Sequence, residues 1–321
     1  MYTDSKVAVV IPCYQVEHQV ADVINQIPNF VDAVIAVDDA STDGTRRILD
    51  SLNCPRLTIL YHAENQGVGG AMSTGYEYAL QIGAQIVVKV DGDGQMNTDR
   101  IQELIDPLTD DICDYVKGNR FLHTLELADM PFLRKLGNIA LTFLTKLCSG
   151  YWHVFDPQNG FVAIHQEFLS ALDLNRLRKT RYFFENEMLI QLNIMAARVM
   201  DRPIPSVYGN EASSLRILEI LRYYPFGLMC GFFHRTYHRY ILRDFSIIVP
   251  LYLTGLSMFL FGVIFGTYNW YYFSVVIQRA APAGTILVAV LPLILGFQML
   301  IQGLLIDILQ SPKADSVLKR R

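Results

Sequence analysis

Cysteine is scarce and unpatterned: Cys13, Cys54, Cys113, Cys148 and Cys230 are five in 321 residues, with no CxxC and no cysteine–histidine spacing. This excludes a disulfide framework and a structural zinc site and leads us to expect a reduced, cytosolic environment. Basic excess is also missing. With 27 Lys and Arg against 31 Asp and Glu, the formal net charge is −4, so nucleic acid is not expected as a partner. No positively charged and then apolar leader precedes the first β-branched run, so membrane targeting is expected from the C-terminal end. Internal repeats, low-complexity tracts and long flexible linkers are lacking, and His62, His123, His153 and His165 show no ligand spacing.

What is abundant is unevenly placed. Hydrophobic residues make up 51%, and the mean hydropathy of +0.24 is high for a soluble protein. The excess lies almost entirely after Phe245. Up to residue 212 the chain reads as one α/β domain. VAVVI (7–11), AVIAV (33–37), LTIL (57–60) and QIVVKV (85–90) are near-continuous apolar runs, as buried parallel strands require. Val16, Val20, Val23, Ile24 and Ile27 recur at helical spacing, as do Met72, Tyr76, Ala79 and Leu80. YVKG (115–118) and GFVAI (160–164) read as further strands, and residues 131–148 and 182–197 as helices. The expected fold class is α/β, a Rossmann-like βαβ series with a mostly parallel sheet.

Residues 213–244 interleave Arg216, Arg222, Arg235, Arg239 and Arg243 with Leu, Ile, Phe and Tyr, the pattern of basic amphipathic helices lying on a membrane. Two uncharged stretches follow, with spans expected at about 245–268 and 283–306 inside a hairpin of 245–309, each near the roughly 20 residues that cross a hydrocarbon core. Tyr268, Trp270, Tyr271 and Tyr272 suit the interface, and the connection holds one basic residue, Arg279. Arginines before the first span, and Lys313, Lys319, Arg320 and Arg321 in the basic tail 310–321, place both ends inside. A multi-pass membrane protein with a cytoplasmic catalytic domain is expected, and such anchors commonly associate, which allows a homo-oligomer.

The chemistry concentrates in turns after strands. VDGDGQM (90–96) ends a buried strand in Asp91 and Asp93, which at this spacing can address one diphosphate and one metal together. Carboxylate oxygens suit Mg2+ or Mn2+. In VDDASTDGT (37–45), Asp38 or Asp39 can accept from a nucleobase or ribose, while Ser41, Thr42 and Asp43 can cap the next helix. ENQGVGGA (64–71), with Gly69 among its glycines, can let backbone approach a phosphate or ribose, although it does not spell GxGxxG.

Taken in order, IPCYQVE (11–17), VDDASTDGT, NQGVGGA and DGDGQ resemble the family 2 glycosyltransferases. With DPQNGF (156–161), FFENEM (183–188) and the two-span anchor, the chain resembles the branch of dolichol-phosphate mannose synthases and bacterial polyprenyl-phosphate glycosyltransferases. The resemblance implies a glycosyltransferase A-type domain over residues 1–212 that takes a GDP- or UDP-sugar and transfers the sugar, with inversion, to a dolichyl or undecaprenyl phosphate at the cytoplasmic membrane face. By the same resemblance Pro12, Tyr14, Glu17 and Asp39 line the nucleoside pocket, Asp91 lies near ribose and diphosphate, and Asp93 and Gln95 meet the metal. Arg120 and Arg134 match positions that hold the lipid phosphate, and Asp156 matches an acid that acts as base or orienting group. The chain departs from the usual YNE after the first strand, reading Tyr14-Gln15-Val16 with the acid displaced to Glu17, and YGNEASS (208–214) stands where relatives carry basic residues.

A phosphate monoester, with a second pKa of about 6, is already an anionic nucleophile, whereas a sugar hydroxyl wants a base. Glu185 and Glu187 face different directions on a helix, so only one of them can point into the site, and the resemblance implies that an acid in this region, Glu187 or its neighbour, serves as such a base. Two alternatives stand beside the lipid phosphate: transfer to a saccharide or glycolipid hydroxyl, and a non-catalytic nucleotide-sugar-binding membrane subunit.

Overall fold

The structure, a computed structural model, describes residues 2–3, 5–120, 132–204 and 217–314, and the side chains of 132–138 and 217–223 lie outside the description. The side chains of Arg134 and Arg222, and His123, the 208–214 segment, Arg216, Lys319, Arg320 and Arg321, therefore fall outside the described residues. The chain divides into two compact units, Met1–Phe232 with Pro312–Arg321, and Phe233–Ser311.

The first unit is built from β1 (Val7–Cys13), α1 (Val20–Gln26), β2 (Ala33–Asp38), α2 (Thr45–Ser51), β3 (Leu57–Tyr61), α3 (Gly67–Gln81) and β4 (Ile86–Lys89). Then come α4 (Ile101–Thr109), β5 (Tyr115–Asn119), α5 (Phe132–Ser149), β6 (Val162–His165), α6 (Gln166–Ser170), α7 (Leu174–Arg178), α8 (Phe184–Ile194) and β7 (Val199–Pro203). The strands form one sheet in the order β3-β2-β1-β4-β6-β5-β7. Six run the same way, and β6 is antiparallel to both β4 and β5. The sheet is thus mixed, one strand short of the all-parallel pattern, and β7 extends its edge beyond the strands read from sequence.

Alternation along β1 explains the two cores. Val7, Val9 and Ile11 face a cluster with α1 and α4, while Ala8 and Val10 face one with α3 and α8. Each such buried aliphatic side chain contributes about 1.5–3 kcal/mol relative to an exposed one. Gly75 lets α3 lie close to β1, because a Cβ there would collide with Val10 Cγ1.

In the second unit, α9 (Ile217–Tyr237) ends and leads through a π-helical turn, His238–Arg243, to α10 (Ile248–Tyr271) and α11 (Ala283–Leu309). The continuous helical stretches Ile248–Ile277 and Ala283–Leu309 have mean hydropathy 2.1 and 2.3, long and apolar enough by length and composition to cross a membrane. The helices pack through glycines seven residues apart, Gly255 and Gly262 on α10 and Gly296 and Gly303 on α11. A Cβ on Gly296 would stand 2.6 Å from the Gly255 carbonyl oxygen, so the helix backbones approach closely, as small-residue interfaces allow. Near the end of α11, buried Asp307 takes a two-pronged pair from Arg235 (2.7 and 3.0 Å) and a hydrogen bond from the Tyr240 hydroxyl. Charges this well buried persist when paired in such geometry.

Candidate active site

The sheet order reverses between β1 and β4, which opens a crevice at their carboxyl ends, the place where open α/β sheets bind ligands. The DGDG turn occupies it. A Cβ on Gly92 would lie 3.3 Å from the Pro12 carbonyl oxygen, so this turn sits directly against the end of β1. Gly94, at φ +75°, supplies the left-handed step that reverses the chain. Asp93 Oδ1 accepts from the Gln95 backbone N–H at 3.0 Å, and the Gln95 side chain is exposed. Among the described residues no three His, Cys, Asp or Glu side chains gather as an all-protein metal cage. Asp91 and Asp93, partly exposed oxygen donors, fit a cation such as Mg2+ or Mn2+, which keeps most of its shell for water and phosphate oxygens.

Beneath the turn lies a dry cluster. Lys89 Nζ, fully buried at the end of β4, pairs with Asp91 Oδ1 at 2.7 Å and Glu185 Oε1 at 3.3 Å. Burial alone would lower the Lys89 pKa, but the two carboxylates outweigh it and hold it well above the usual lysine value. Lys117 on β5 is equally buried and donates to the Asn159 carbonyl oxygen. Burial pulls its pKa down to about 8, against the opposing pull of Glu185, Asp156 and Asp201.

On the nucleoside side, the residues read from the sequence have internal partners. Asp39 is buried and accepts from the Gln66 and Gly67 backbone N–H groups at 2.9 and 2.7 Å and from His62 Nδ1 at 2.7 Å. Its carboxylate occupies the N-terminus of α3. His62 Nε2 in turn meets the Thr74 hydroxyl at 2.9 Å. Glu17 accepts from the Gly44 N–H at 2.6 Å at the start of α2, and Asp43 accepts from the N–H groups of Thr45 and Glu17 at 3.1 and 3.2 Å. The buried Asp38 accepts from the Ser41 N–H at 3.3 Å. Pro12 is half-buried and Tyr14 exposed at the mouth. Gly69 belongs to the first turn of α3, and a Cβ there would stand 2.5 Å from the Leu177 carbonyl oxygen. Its smallness serves the packing of α3 against α7.

Arg120 and Asp156, far apart in sequence, are brought together. Arg120 donates from Nε and Nη2 to the two oxygens of Asp156 at 2.8 and 3.1 Å, and its backbone N–H adds a third bond at 3.3 Å. Asp156 is buried, whereas the Arg120 side chain is 37% exposed. The carboxylate therefore acts as a clamp on the guanidinium plane. Asp201, on β7, accepts from Asn119 Nδ2 and the Phe155 N–H, both at 2.8 Å, and fixes the chain entering this loop; burial raises its pKa despite those bonds. Gln158 bonds Asn186 at 3.2 Å and accepts from the Tyr224 hydroxyl at 3.2 Å.

Glu187 is not brought to the cluster. It is buried on α8 and paired with Arg176, with Gln191 donating to it at 3.1 Å, so it ties α8 to α7. Glu185 is the acid that reaches Lys89. Lys89, Lys117, Asn159 and Asp201 escaped the sequence reading, although a lysine inside an otherwise apolar buried strand is itself a signal, because such a charge must find partners.

The family model for glycosyl transferase family 2 matches residues 8–172. The UDP-N-acetylglucosamine–dolichyl-phosphate N-acetylglucosaminyltransferase of Methanococcus voltae is 34% identical over 220 residues, 64% of this chain and 87% of that relative. The undecaprenyl-phosphate mannosyltransferase of Micrococcus luteus is 27% identical over 54% of this chain and 71% of its own length. Among solved structures, glucosyl-3-phosphoglycerate synthase from Mycobacterium tuberculosis, in complex with Mn2+, UDP-glucose and phosphoglyceric acid, superposes with a TM-score of 0.53 at 20% identity. That match covers 72% of this chain and 80% of that one, and it supports the shared fold. Six motifs in family order, a GT-A-like sheet and a family match over half the chain lead to one conclusion: the chain belongs to glycosyl transferase family 2, as a nucleotide-sugar-dependent glycosyltransferase related to the polyprenyl-phosphate sugar transferases.

Proposed function

We propose that the protein transfers a sugar, with inversion, from a UDP- or GDP-sugar to a polyprenyl phosphate at the cytoplasmic face of a membrane. The observation that carries this reading is the loop 156–160. Asp156 at its start clamps Arg120, while Gly160 at its end backs the Lys89–Asp91 pair. One loop thus links the carboxylate expected at the donor with the arginine expected at the acceptor phosphate. A bound Mg2+ or Mn2+ would neutralise charge on the departing nucleoside diphosphate. Asp91 and Asp93 would hold it, and Arg120 presents a flat guanidinium whose donors suit phosphate oxygens. The acceptor phosphate is anionic near neutral pH, so Asp156 need not remove a proton and acts as an orienting group. The test is a panel of radiolabelled nucleotide-sugars incubated with the purified protein and undecaprenyl or dolichyl phosphate, followed by organic extraction. Label in the organic phase with lipid phosphate alone is expected; label appearing only when a saccharide or glycolipid hydroxyl is supplied would replace the acceptor, with Glu185 then placed as the base.

The apolar helices α10 and α11 support the anchoring part of the reading. Arg235, Arg239 and Arg243 precede the first, Lys313 follows the second, the far end of the first carries Trp270 and Tyr271, and the connection holds a single basic residue, Arg279. The hairpin would then cross twice with both ends inside. A cysteine placed at Asn269 should react with an impermeant maleimide added outside intact cells; labelling only after the cytosolic face is opened would reverse the topology.

A further inference from the structure

We propose that Lys89 is a positioning residue of the donor site: its buried ammonium, confined behind Gly160 and between Asp91 and Glu185, fixes the first carboxylate of the DxD motif for the metal-bound nucleoside diphosphate. The inference rests on the donor-site reading above and adds to it a residue outside the motifs. Its basis is geometric. The Lys89 side chain is 2% exposed and that of Asp91 30%, so the pair has a dry base and a wet face. Asp91 Oδ1 meets the ammonium at 2.7 Å, whereas Glu185 stands farther away at 3.3 Å. A carboxylate torsion is broad and two-fold, so an unheld Asp91 would sample many orientations. One short charge-assisted bond selects one of them before any ligand arrives.

Gly160 supplies the confinement. A Cβ there would collide with Lys89 Nζ and stand 2.6 Å from Asp91 Oδ2, so both members of the pair lean against this one backbone position. The loop bearing Gly160 is itself held from below by the second buried lysine. Lys89 and Lys117 both register with Val162 on β6, one on each side of it, which places them in one row across the sheet. Lys117 grips the Asn159 carbonyl oxygen, next to Gly160. The first ammonium thus orients the motif, and the second fixes the wall that confines the first.

Charge supports the same role. Asp91, Asp93 and Glu185 gather negative charge where a diphosphate must approach, and Lys89 offsets part of it from a position that water does not reach. Satisfying Glu185 alone would not require the shorter contact to Asp91, nor a glycine at 160.

Calorimetry of Mn2+ with UDP and with GDP tests this. Lys89→Met would leave Glu185 and Asp91 facing each other, so the decisive variant is Lys89→Met with Glu185→Gln, which removes one charge of each sign. With its thermal midpoint near wild type, this variant should bind the Mn2+–nucleotide about 10- to 150-fold more weakly, the range for losing a hydrogen bond to a charged group. The KM for nucleotide-sugar should rise while the KM for lipid phosphate holds. Gly160→Ala, which changes no charge but displaces the pair, should weaken nucleotide binding as well. A folded double variant with wild-type affinity would overturn the proposal and leave Lys89 as a counter-charge for Glu185. If that variant does not fold, wild-type affinity in Gly160→Ala overturns it equally. Wild-type protein that binds neither Mn2+–UDP nor Mn2+–GDP would instead defeat the donor-site reading on which the inference rests.

Discussion

Asp93→Asn should abolish most turnover while leaving the fold intact. Asparagine keeps an oxygen that can accept from the Gln95 N–H, so the DGDG turn has no reason to open. What it loses is the negative charge offered to the cation that neutralises the leaving diphosphate. Metal stabilisation of such charge contributes several kcal/mol, and at 1.36 kcal/mol per decade the expected fall in kcat is on the order of 100- to 1,000-fold. The remaining activity should respond weakly to added Mn2+, with the binding curve shifted to higher metal. Single-turnover rates across a Mn2+ titration, beside an unchanged thermal midpoint, measure both effects. Undiminished wild-type turnover in excess chelator would remove the metal from the mechanism.

The strands were readable because a sheet covered on both faces demands near-continuous apolar runs, and β1, β2 and β4 meet that demand, β4 departing from it only at Lys89. β7 was not, because in Val-Met-Asp-Arg-Pro, at the sheet edge, only Val199 is buried and no such run exists. Its Asp201 nevertheless holds the entry to the 156–160 loop. Antiparallel β6 was visible as a strand, but its direction depends on partners far away in sequence.

The site shows the same division. Asp91, Asp93, Arg120 and Asp156 were legible because strand ends and short motifs mark them. Which of them touch was not, since the pairing of Arg120 with Asp156 depends on the sheet bringing together segments 36 residues apart. The packing role of a glycine was hidden for a related reason. Gly69 is packed against α7, more than a hundred positions later, and no local motif announces that contact. The partners of Asp39 were equally hidden, because the fold alone brings its carboxylate to the N-terminus of α3 and to His62. Glu185 and Glu187 differ by two positions on one helix, and only the orientation of α8 tells which acid reaches Lys89 and which meets Arg176.

Arg120→Lys should impair use of the lipid phosphate far more than binding of the nucleotide-sugar. Lysine retains the charge but cannot make the paired bonds that Nε and Nη2 make to Asp156 at 2.8 and 3.1 Å, so the plane of donors presented to an incoming phosphate is lost. Alanine would be the poorer probe. It would leave the buried Asp156 without its counter-charge, and stripping one partner from a buried pair destabilises by roughly 3–5 kcal/mol, which would blur a binding defect with partial unfolding. With lysine, a hydrogen bond to a charged group is at stake, about 1.5–3 kcal/mol, or roughly a 10- to 150-fold fall in kcat/KM for the lipid. Asp156→Asn should produce a smaller loss in the same parameter, because the neutral amide still accepts one bond from the guanidinium but no longer fixes it at two oxygens. Nucleotide affinity, measured by calorimetry without lipid, should stay near wild type in both variants. A collapse of that affinity with an unchanged KM for lipid would move Arg120 from the acceptor to the diphosphate, and Asp156 with it.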